Sequence, residues 1–176
     1  VGAAAYPKFV GGLSFSGDWK GIDFSFLFQA GLGRDVALTG VYSGGIMDNT
    51  QMTKPFYHGG NSPKYLVENS WREDNTNAKF PRLSIVQASS NNAYSSTFWY
   101  RSGDYLRLKN LQIGYTFPQK WMSRIGIDRL RIYFEGQNLW TVSELTKFNI
   151  DPEQPGVSNG YYPQQRIFSF GVNLAF

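Results

Sequence analysis

The stretch that decides the fold class closes the chain and runs Arg166-Ile167-Phe168-Ser169-Phe170-Gly171-Val172-Asn173-Leu174-Ala175-Phe176. Its large apolar side chains alternate from Phe168 to Phe176, so in an extended strand they all point to one face. The opposite parity carries mostly small or polar residues and no charge. A strand that is apolar on one face, small and polar on the other, and aromatic at its end is typical of the closing strand of an outer-membrane β-barrel.

The composition agrees with a β-rich protein that has an apolar outer surface. Among the 176 residues, aromatic residues make up 17% and charged residues also 17%, and the charged share is below the roughly 25% of soluble domains. The net charge is 17 − 13 = +4 and is scattered along the chain, which disfavours nucleic-acid binding. The absence of cysteine excludes disulfides and thiolate metal sites. The sequence contains no run of about 18 apolar residues, so no membrane-spanning helix is predicted. A strand of a membrane barrel has no such run either, because its apolar residues alternate with polar ones.

Four further segments alternate in the same way and predict an antiparallel, up-and-down sheet. We expect these strands at Lys8–Asp18, Ile22–Gly33, Phe98–Phe117 and Asp128–Thr141. In the third of them Leu106 and Leu108 have the opposite parity to the apolar residues that follow, which predicts either a bulge near Lys109 or a stretch of strand beyond the membrane. The strand Asp128–Thr141 is expected to pair with the terminal strand.

The connections between these strands alternate short, long, short, long. The long ones contain one predicted helix, Lys64–Trp71, with Ser62 as N-cap and Pro63 at its first position. Loops of this length count against a compact soluble domain but are expected on one side of a barrel. The short turns bring a set of aromatic residues to one end of the sheet, where they predict a membrane girdle: Trp19, Phe117, Trp121 and the terminal Phe176. The alternative is a soluble β-sandwich, for instance a carbohydrate-binding module, whose core would use the apolar faces.

Several blocks of the sequence resemble the C-terminal region of SusC/RagA-type TonB-linked outer-membrane transporters of Bacteroidetes. The most specific block is Tyr100-Arg101-Ser102-Gly103-Asp104-Tyr105-Leu106-Arg107-Leu108-Lys109-Asn110-Leu111-Gln112-Ile113-Gly114-Tyr115-Thr116-Phe117-Pro118. It is followed in the family's order by Leu130-Arg131-Ile132-Tyr133-Phe134-Glu135-Gly136-Gln137-Asn138-Leu139-Trp140-Thr141, by Asp151-Pro152-Glu153 and by the terminal strand. Upstream, Trp19-Lys20-Gly21-Ile22-Asp23-Phe24-Ser25 also fits, although the family commonly has Tyr where this chain has Trp19.

The resemblance implies that residues 1–176 form the C-terminal portion of such a receptor, without its plug and earlier strands. They would supply about the last five strands of a transmembrane β-barrel of about 22 strands, with long extracellular loops. The implied function is import of oligosaccharides or oligopeptides across the outer membrane of a Gram-negative Bacteroidetes bacterium. The implied partners are a SusD-like surface lipoprotein, the TonB-ExbB-ExbD complex through the missing N-terminal part, the barrel-assembly machinery and outer-membrane lipid. No cofactor and no enzymatic activity are implied, and Phe176 is expected to be the assembly signal.

The remaining chemistry of the sequence is sparse. His58 is the only histidine and has no nucleophile elbow to accompany it, which argues against a hydrolase. Asp151 and Glu153 flank Pro152 and suit either a weak cation site or a rigid loop. The long loops carry aromatic residues that we expect either to contact substrate or partner, or to pack the loops together: Tyr57, Tyr65, Trp71, Trp99, Tyr161 and Tyr162.

Overall fold

The computed structural model describes residues 4–38, 64–82, 96–154 and 164–176. Its strands in chain order are β1 (Phe9–Trp19), β2 (Ile22–Leu32), β3 (Asp35–Ala37), β4 (Tyr100–Ser102), β5 (Tyr105–Thr116), β6 (Arg129–Ser143) and β7 (Ile167–Ala175). Its α-helices are α1 (Lys64–Glu68) and α2 (Gln119–Met122). The chain divides into two compact units. The sheet unit comprises Pro7–Gly33, Asp104–Ser143 and Pro163–Phe176, and the loop unit comprises Val1–Tyr6, Arg34–Gly103 and Glu144–Tyr162.

The sheet unit is a five-stranded antiparallel sheet in the order β1-β2-β5-β6-β7. All five predicted strands are present, and the predicted pairing of the terminal strand with β6 is confirmed. β1 and β2 are joined by a two-residue turn in which Lys20 has φ 49° and Gly21 has φ 87°. Positive φ at both positions matches the right-handed twist of a hairpin, and glycine adopts it without strain.

The predicted strand Phe98–Phe117 is wrong in its first part. Residues Thr97–Trp99 form a 3₁₀ turn, and β4 pairs with β3 in a separate two-stranded sheet of the loop unit. The chain exchanges its partner at Gly103, whose N–H donates to the carbonyl of Arg34 at 2.8 Å. A Cβ at Gly103 would lie 2.9 Å from Val36, so this close backbone approach requires glycine.

The predicted bulge near Lys109 is confirmed. Lys109 is an extra residue relative to β2, since Leu108 and Asn110 pair with the adjacent Phe28 and Leu27. Opposite Lys109, β6 has two residues, Asn138 and Leu139, between the partners of Asn110 and Leu108. On the other side the register shifts at the same place, and Asn138 of β6 adopts a left-handed φ of 53°. The bulge therefore returns Leu106 and Leu108 to the apolar face of the sheet.

The loop unit has its own hydrophobic core. Leu38, Leu66 and Leu145 are fully buried, and aromatic rings pack around them. Phe80 stacks on Trp99 with ring centroids 6.2 Å apart and meets Phe148 edge-on at 6.4 Å. In the described part of this unit, these buried side chains pack together as a hydrophobic core.

The helix α1 ends earlier than the predicted Lys64–Trp71. The Asn69 side chain donates to the carbonyl of Tyr65 at 2.8 Å, and the backbone of Ser70 then bridges to Phe80. These contacts direct the chain out of the helix, because Asn competes locally for backbone partners. The predicted cap Ser62 and Pro63 lie outside the described residues. Among the described residues, no helix has the length and apolarity needed to span a membrane.

Candidate functional site

One face of the sheet is apolar from edge to edge. In one row across the strands Phe24 pairs with Ile113, Ile113 with Phe134, and Phe134 with Phe170. The ring centroids of Phe134 and Phe170 are 5.2 Å apart. Phe170 is nevertheless 83% exposed, and most of the large apolar residues of β1 and β7 are exposed on this face as well. An exposed apolar surface of this extent is a surface for lipid or protein.

The opposite face is polar and contains an ion pair that spans three strands. Arg131 of β6 donates through Nε to Asp23 Oδ2 at 2.9 Å and through Nη2 to Asp23 Oδ1, a bidentate arrangement. The two residues are on β6 and β2, with Gly114 of β5 between them. A Cβ on Gly114 would lie 2.5–2.7 Å from Arg131 and Asp23 atoms, so glycine leaves the space that the pair occupies. The guanidinium also lies over the Tyr133 ring, 4.8 Å from its centroid.

A second polar cluster surrounds the bulge on the same face. Arg107 is only 3% exposed, and its Nε donates to Thr141 Oγ1 at 2.9 Å. Its Nη1 donates to Gln164 Oε1 at 2.7 Å, and Lys109 Nζ reaches the same oxygen at 3.3 Å. These bonds join β5, β6 and the segment that precedes β7, which stabilises the sheet where the bulge interrupts its ladder.

The predicted girdle residues lie at the short-turn end of the sheet. The Thr116 N–H donates to the Gly21 carbonyl at 2.8 Å, which holds the two short connections side by side. Trp19 and Trp121 are 64% and 54% exposed, while Phe117 is half-buried against Tyr115. Phe176 follows β7 at this end and is exposed. Their contact with membrane and the assembly role of Phe176 stay predictions.

The loop aromatics that the structure describes divide into two kinds. Trp99 is 6% exposed and belongs to the core of the loop unit, and the partly buried Tyr65 packs against that core, which is the packing alternative considered for these residues. Trp71 is exposed and lines a pocket of about 520 Å³ together with Val67, Ser70, Arg72, Glu73, Asp74 and Arg82. Tyr57, Tyr161, Tyr162 and His58 lie outside the described residues.

The segment Asp151-Pro152-Glu153 forms a local turn. Asp151 Oδ1 accepts the Glu153 N–H at 2.9 Å, and Arg34 donates to the Pro152 carbonyl at 3.3 Å. Within the ranges that the structure covers, no group of three or more His, Cys, Asp or Glu residues is placed to hold a metal ion. The rigid-loop interpretation of this segment is the one that these contacts support.

Sequence reasoning missed the Asp23–Arg131 pair and the cluster around Arg107. The two members of the ion pair are 108 residues apart in the chain. The pair could be found only from the strand register. Asp23 lies opposite Gly114, and Gly114 lies opposite Tyr133. Arg131 is two residues before Tyr133 and therefore on the same face as Asp23.

Strands that alternate between an exposed apolar face and a polar face have the pattern of a transmembrane β-barrel wall. The chain is 28% identical to TonB-dependent receptor P3 of Formosa agariphila over 183 residues, covering 97% of the chain and 16% of the relative. It is 26% identical to TonB-dependent receptor SusC of Bacteroides thetaiotaomicron over 168 residues, covering 94% of the chain and 15% of the relative. No family model matches the chain.

Solved structures also show similarity to a transporter of the outer membrane type that the sequence resemblance implies. The RagAB peptide importer in its closed-closed state superposes with a TM-score of 0.68 at 27% identity, covering the whole chain and 18% of that structure's chain. In the open-open state the TM-score is 0.66 at 26% identity. The predicted resemblance to SusC/RagA-type TonB-dependent transporters is thereby confirmed. The chain spans about a sixth of the length of these relatives, which are named as receptors and importers and not as enzymes.

Proposed function

We propose that the chain is the C-terminal wall segment of a SusC-like TonB-dependent importer in the outer membrane of a Bacteroidetes bacterium. The observation that carries this proposal is the apolar face that runs across all five strands while the other face stays polar. In a complete barrel the apolar face contacts lipid, and the Asp23–Arg131 pair faces the lumen. The free edges of β1 and β7 pair with other strands of the barrel, because unpaired edges of this length promote aggregation.

A soluble β-sandwich is the alternative, and the exposure of the apolar face counts against it. A sandwich buries such a face against a second sheet about 10 Å away. Phe168 and Phe170 are instead 62% and 83% exposed. A lipid environment accounts for this exposure, and a folded core does not.

The loop unit forms part of the outer mouth in this proposal. Its packed core presents Trp71 and the pocket of about 520 Å³, which suits stacking on a sugar ring or packing against a peptide side chain. A SusD-like lipoprotein covers this mouth, and TonB-ExbB-ExbD drives transport through the N-terminal part of the receptor. A peptide cargo is suggested by the likeness to the RagAB peptide importer, and an oligosaccharide is the other cargo class in this proposal.

Two adjacent residues of β7 give the sharpest test, because they point to opposite faces. We expect Phe170→Arg to abolish or strongly reduce folded receptor in the outer membrane, since a cation near the middle of the lipid face costs about 2–4 kcal/mol. The matched control Ser169→Arg places the same charge on the polar face and leaves assembly largely intact. The measurement is the heat-modifiable band of the full-length receptor in outer-membrane fractions. Equal assembly of the two variants would contradict the proposal.

A further inference from the structure

The connection between β5 and β6 is a short amphipathic turn rather than an irregular loop. It consists of α2 and a 3₁₀ turn at Ser123–Ile125, and the Trp121 N–H donates to the Pro118 carbonyl at 3.0 Å. Met122 is buried, while Trp121 and Ile125 are 54% and 65% exposed. More than half of each of these two side chains is therefore open to solvent. The turn is thus anchored by Met122, while the apolar side chains of Trp121 and Ile125 remain exposed.

Basic residues accompany this apolar pair. Lys120 and Arg124 are four residues apart, and neither side chain makes an ion pair or hydrogen bond with any residue in the described ranges. The adjacent hairpin turn adds Lys20, whose Nζ lies 4.8 Å from the centroid of the Trp19 ring. We call Trp19, Lys20, Lys120, Trp121, Arg124 and Ile125 the rim patch.

The acidic residues at this end leave the rim patch with a positive balance. Asp23 is engaged by Arg131 on the polar face, and Asp18 has the same parity because it pairs with Asp23 across the hairpin. Asp128 follows the turn, three residues after Ile125, and its side chain carries a single negative charge against the three cations. A patch with apolar side chains beside uncompensated cations matches the boundary between acyl chains and phosphates.

We propose that the rim patch binds the headgroups of anionic phospholipids in the periplasmic leaflet, with Lys20, Lys120 and Arg124 holding the phosphate. Trp19, Trp121 and Ile125 lie at the level where the acyl chains begin. The patch continues from the apolar face, since Trp19 pairs with Ile22 and Ile22 with Tyr115 on that face. Anionic lipid is favoured over zwitterionic lipid because basic groups at a membrane surface attract negative headgroups. This inference rests on the proposed function, which supplies the membrane.

The test follows the fluorescence of Trp121 in the full-length receptor reconstituted into vesicles, taken as the difference between the receptor and Trp121→Phe. Lipids with brominated acyl chains quench tryptophan on contact. We expect brominated phosphatidylglycerol in a phosphatidylcholine background to quench Trp121 roughly twofold more than brominated phosphatidylcholine at the same fraction. Lys120→Gln combined with Arg124→Gln removes this preference. The control is Lys64→Gln combined with Arg72→Gln, which makes the same charge change in the loop unit and leaves the preference in place.

A Phe170→Trp variant separates the two proposals, because it adds a fluorophore to the middle of the apolar face. Its added fluorescence is taken as the difference from the unmodified receptor. If brominated lipid quenches this added fluorescence while both lipids quench Trp121 equally, the rim patch is overturned and the membrane assignment stands. If brominated lipid leaves the added fluorescence unquenched, the membrane assignment itself is overturned.

If the Lys120 and Arg124 double variant does not assemble, the salt dependence of quenching tests whether the rim patch binds anionic headgroups. In the unmodified receptor, high salt must reduce the preference of Trp121 for brominated phosphatidylglycerol, because salt screens the attraction between exposed cations and anionic headgroups. A preference that salt does not change overturns the proposal.

Discussion

Arg131 and Asp23 form a bidentate ion pair although they lie two strands and 108 residues apart. The Arg131 side chain is 13% exposed and that of Asp23 is 35% exposed, so the pair is partly shielded from solvent. Its geometry depends on Gly114 in the intervening strand, because any side chain there would occupy the path of the guanidinium. The pair thus joins three strands that form only in the folded sheet.

We expect removal of either partner of this pair to destabilise the barrel, since the remaining charge is left half-buried. Asp23→Asn and Arg131→Gln should each lower stability by about 1–2 kcal/mol, and the double variant by less than their sum. The measurement is the urea dependence of unfolding of the full-length receptor in detergent or vesicles. Asp18→Asn serves as the control, because Asp18 is on the same face and its side chain has no hydrogen bond or ion pair with any described residue. Full additivity would show that the pair contributes nothing.

Gly114→Ala should act only through this ion pair. The added Cβ meets the ends of two flexible side chains, Arg131 and Asp23, rather than backbone. We therefore expect a loss of about 1 kcal/mol that largely disappears in the background of Asp23→Asn with Arg131→Gln. Gly12→Ala is the control, because a Cβ there lies 3.5 Å from the Phe28 carbonyl, an ordinary contact. A loss of the same size in both backgrounds would place the cost in the backbone instead.

Trp99 and Trp71 should respond differently to truncation. Trp99→Ala removes a ring that stacks on Phe80 in the core, and we expect the loop unit to lose about 3–5 kcal/mol of stability. Trp71→Ala changes an exposed ring and leaves that stability nearly unchanged while weakening capture of substrate or partner lipoprotein. Hydrogen exchange of residues 64–82 in the full-length receptor measures the first effect, and a binding assay measures the second. Matching exchange rates in both variants would refute this division of roles.

The aromatic ring of Phe176 is expected to be required for assembly. Deletion of Phe176 or Phe176→Ala should reduce the surface level and the heat-modifiable form of the receptor several-fold. Phe176→Tyr retains the ring and should assemble nearly normally, which controls for a change at the last position. Unchanged surface levels after the deletion would remove the assembly role from this residue.

Asn138 tests the conformation of the bulge. Its φ is 53°, a left-handed value that asparagine and glycine tolerate and β-branched residues do not. Its Nδ2 donates to the Gln165 carbonyl at 3.1 Å, which helps to position the segment before β7. We expect Asn138→Val to destabilise the barrel by about 1–3 kcal/mol and Asn138→Gly to have a much smaller effect. Urea unfolding compares the two, and equal losses would show that the side-chain bond, rather than the backbone, decides.

The sheet with one apolar and one polar face could be predicted, because apolar and polar residues alternate along each strand. The parity of Phe168, Phe170 and Val172 fixes which side chains share a face. The parity change around Lys109 predicts either a bulge or a stretch of strand beyond the membrane, and the register with β2 and β6 shows the bulge. The short turn at Lys20-Gly21 is likewise a local feature, because its backbone conformation is set by the residues in the turn itself.

Features that depend on contacts between distant segments of the chain are visible only in the tertiary structure. The exchange of partners at Gly103 follows from the approach of Arg34 and Val36, so alternation around Phe98 predicts a continuous strand where the chain actually turns. In the same way, Trp99 and Trp71 look equivalent in the sequence, and only packing against Phe80 separates a core ring from an exposed one. Parity along the chain determines the faces of a strand, because a strand repeats every two residues. Partners across the sheet and within a core are determined by register and packing, which no single segment contains.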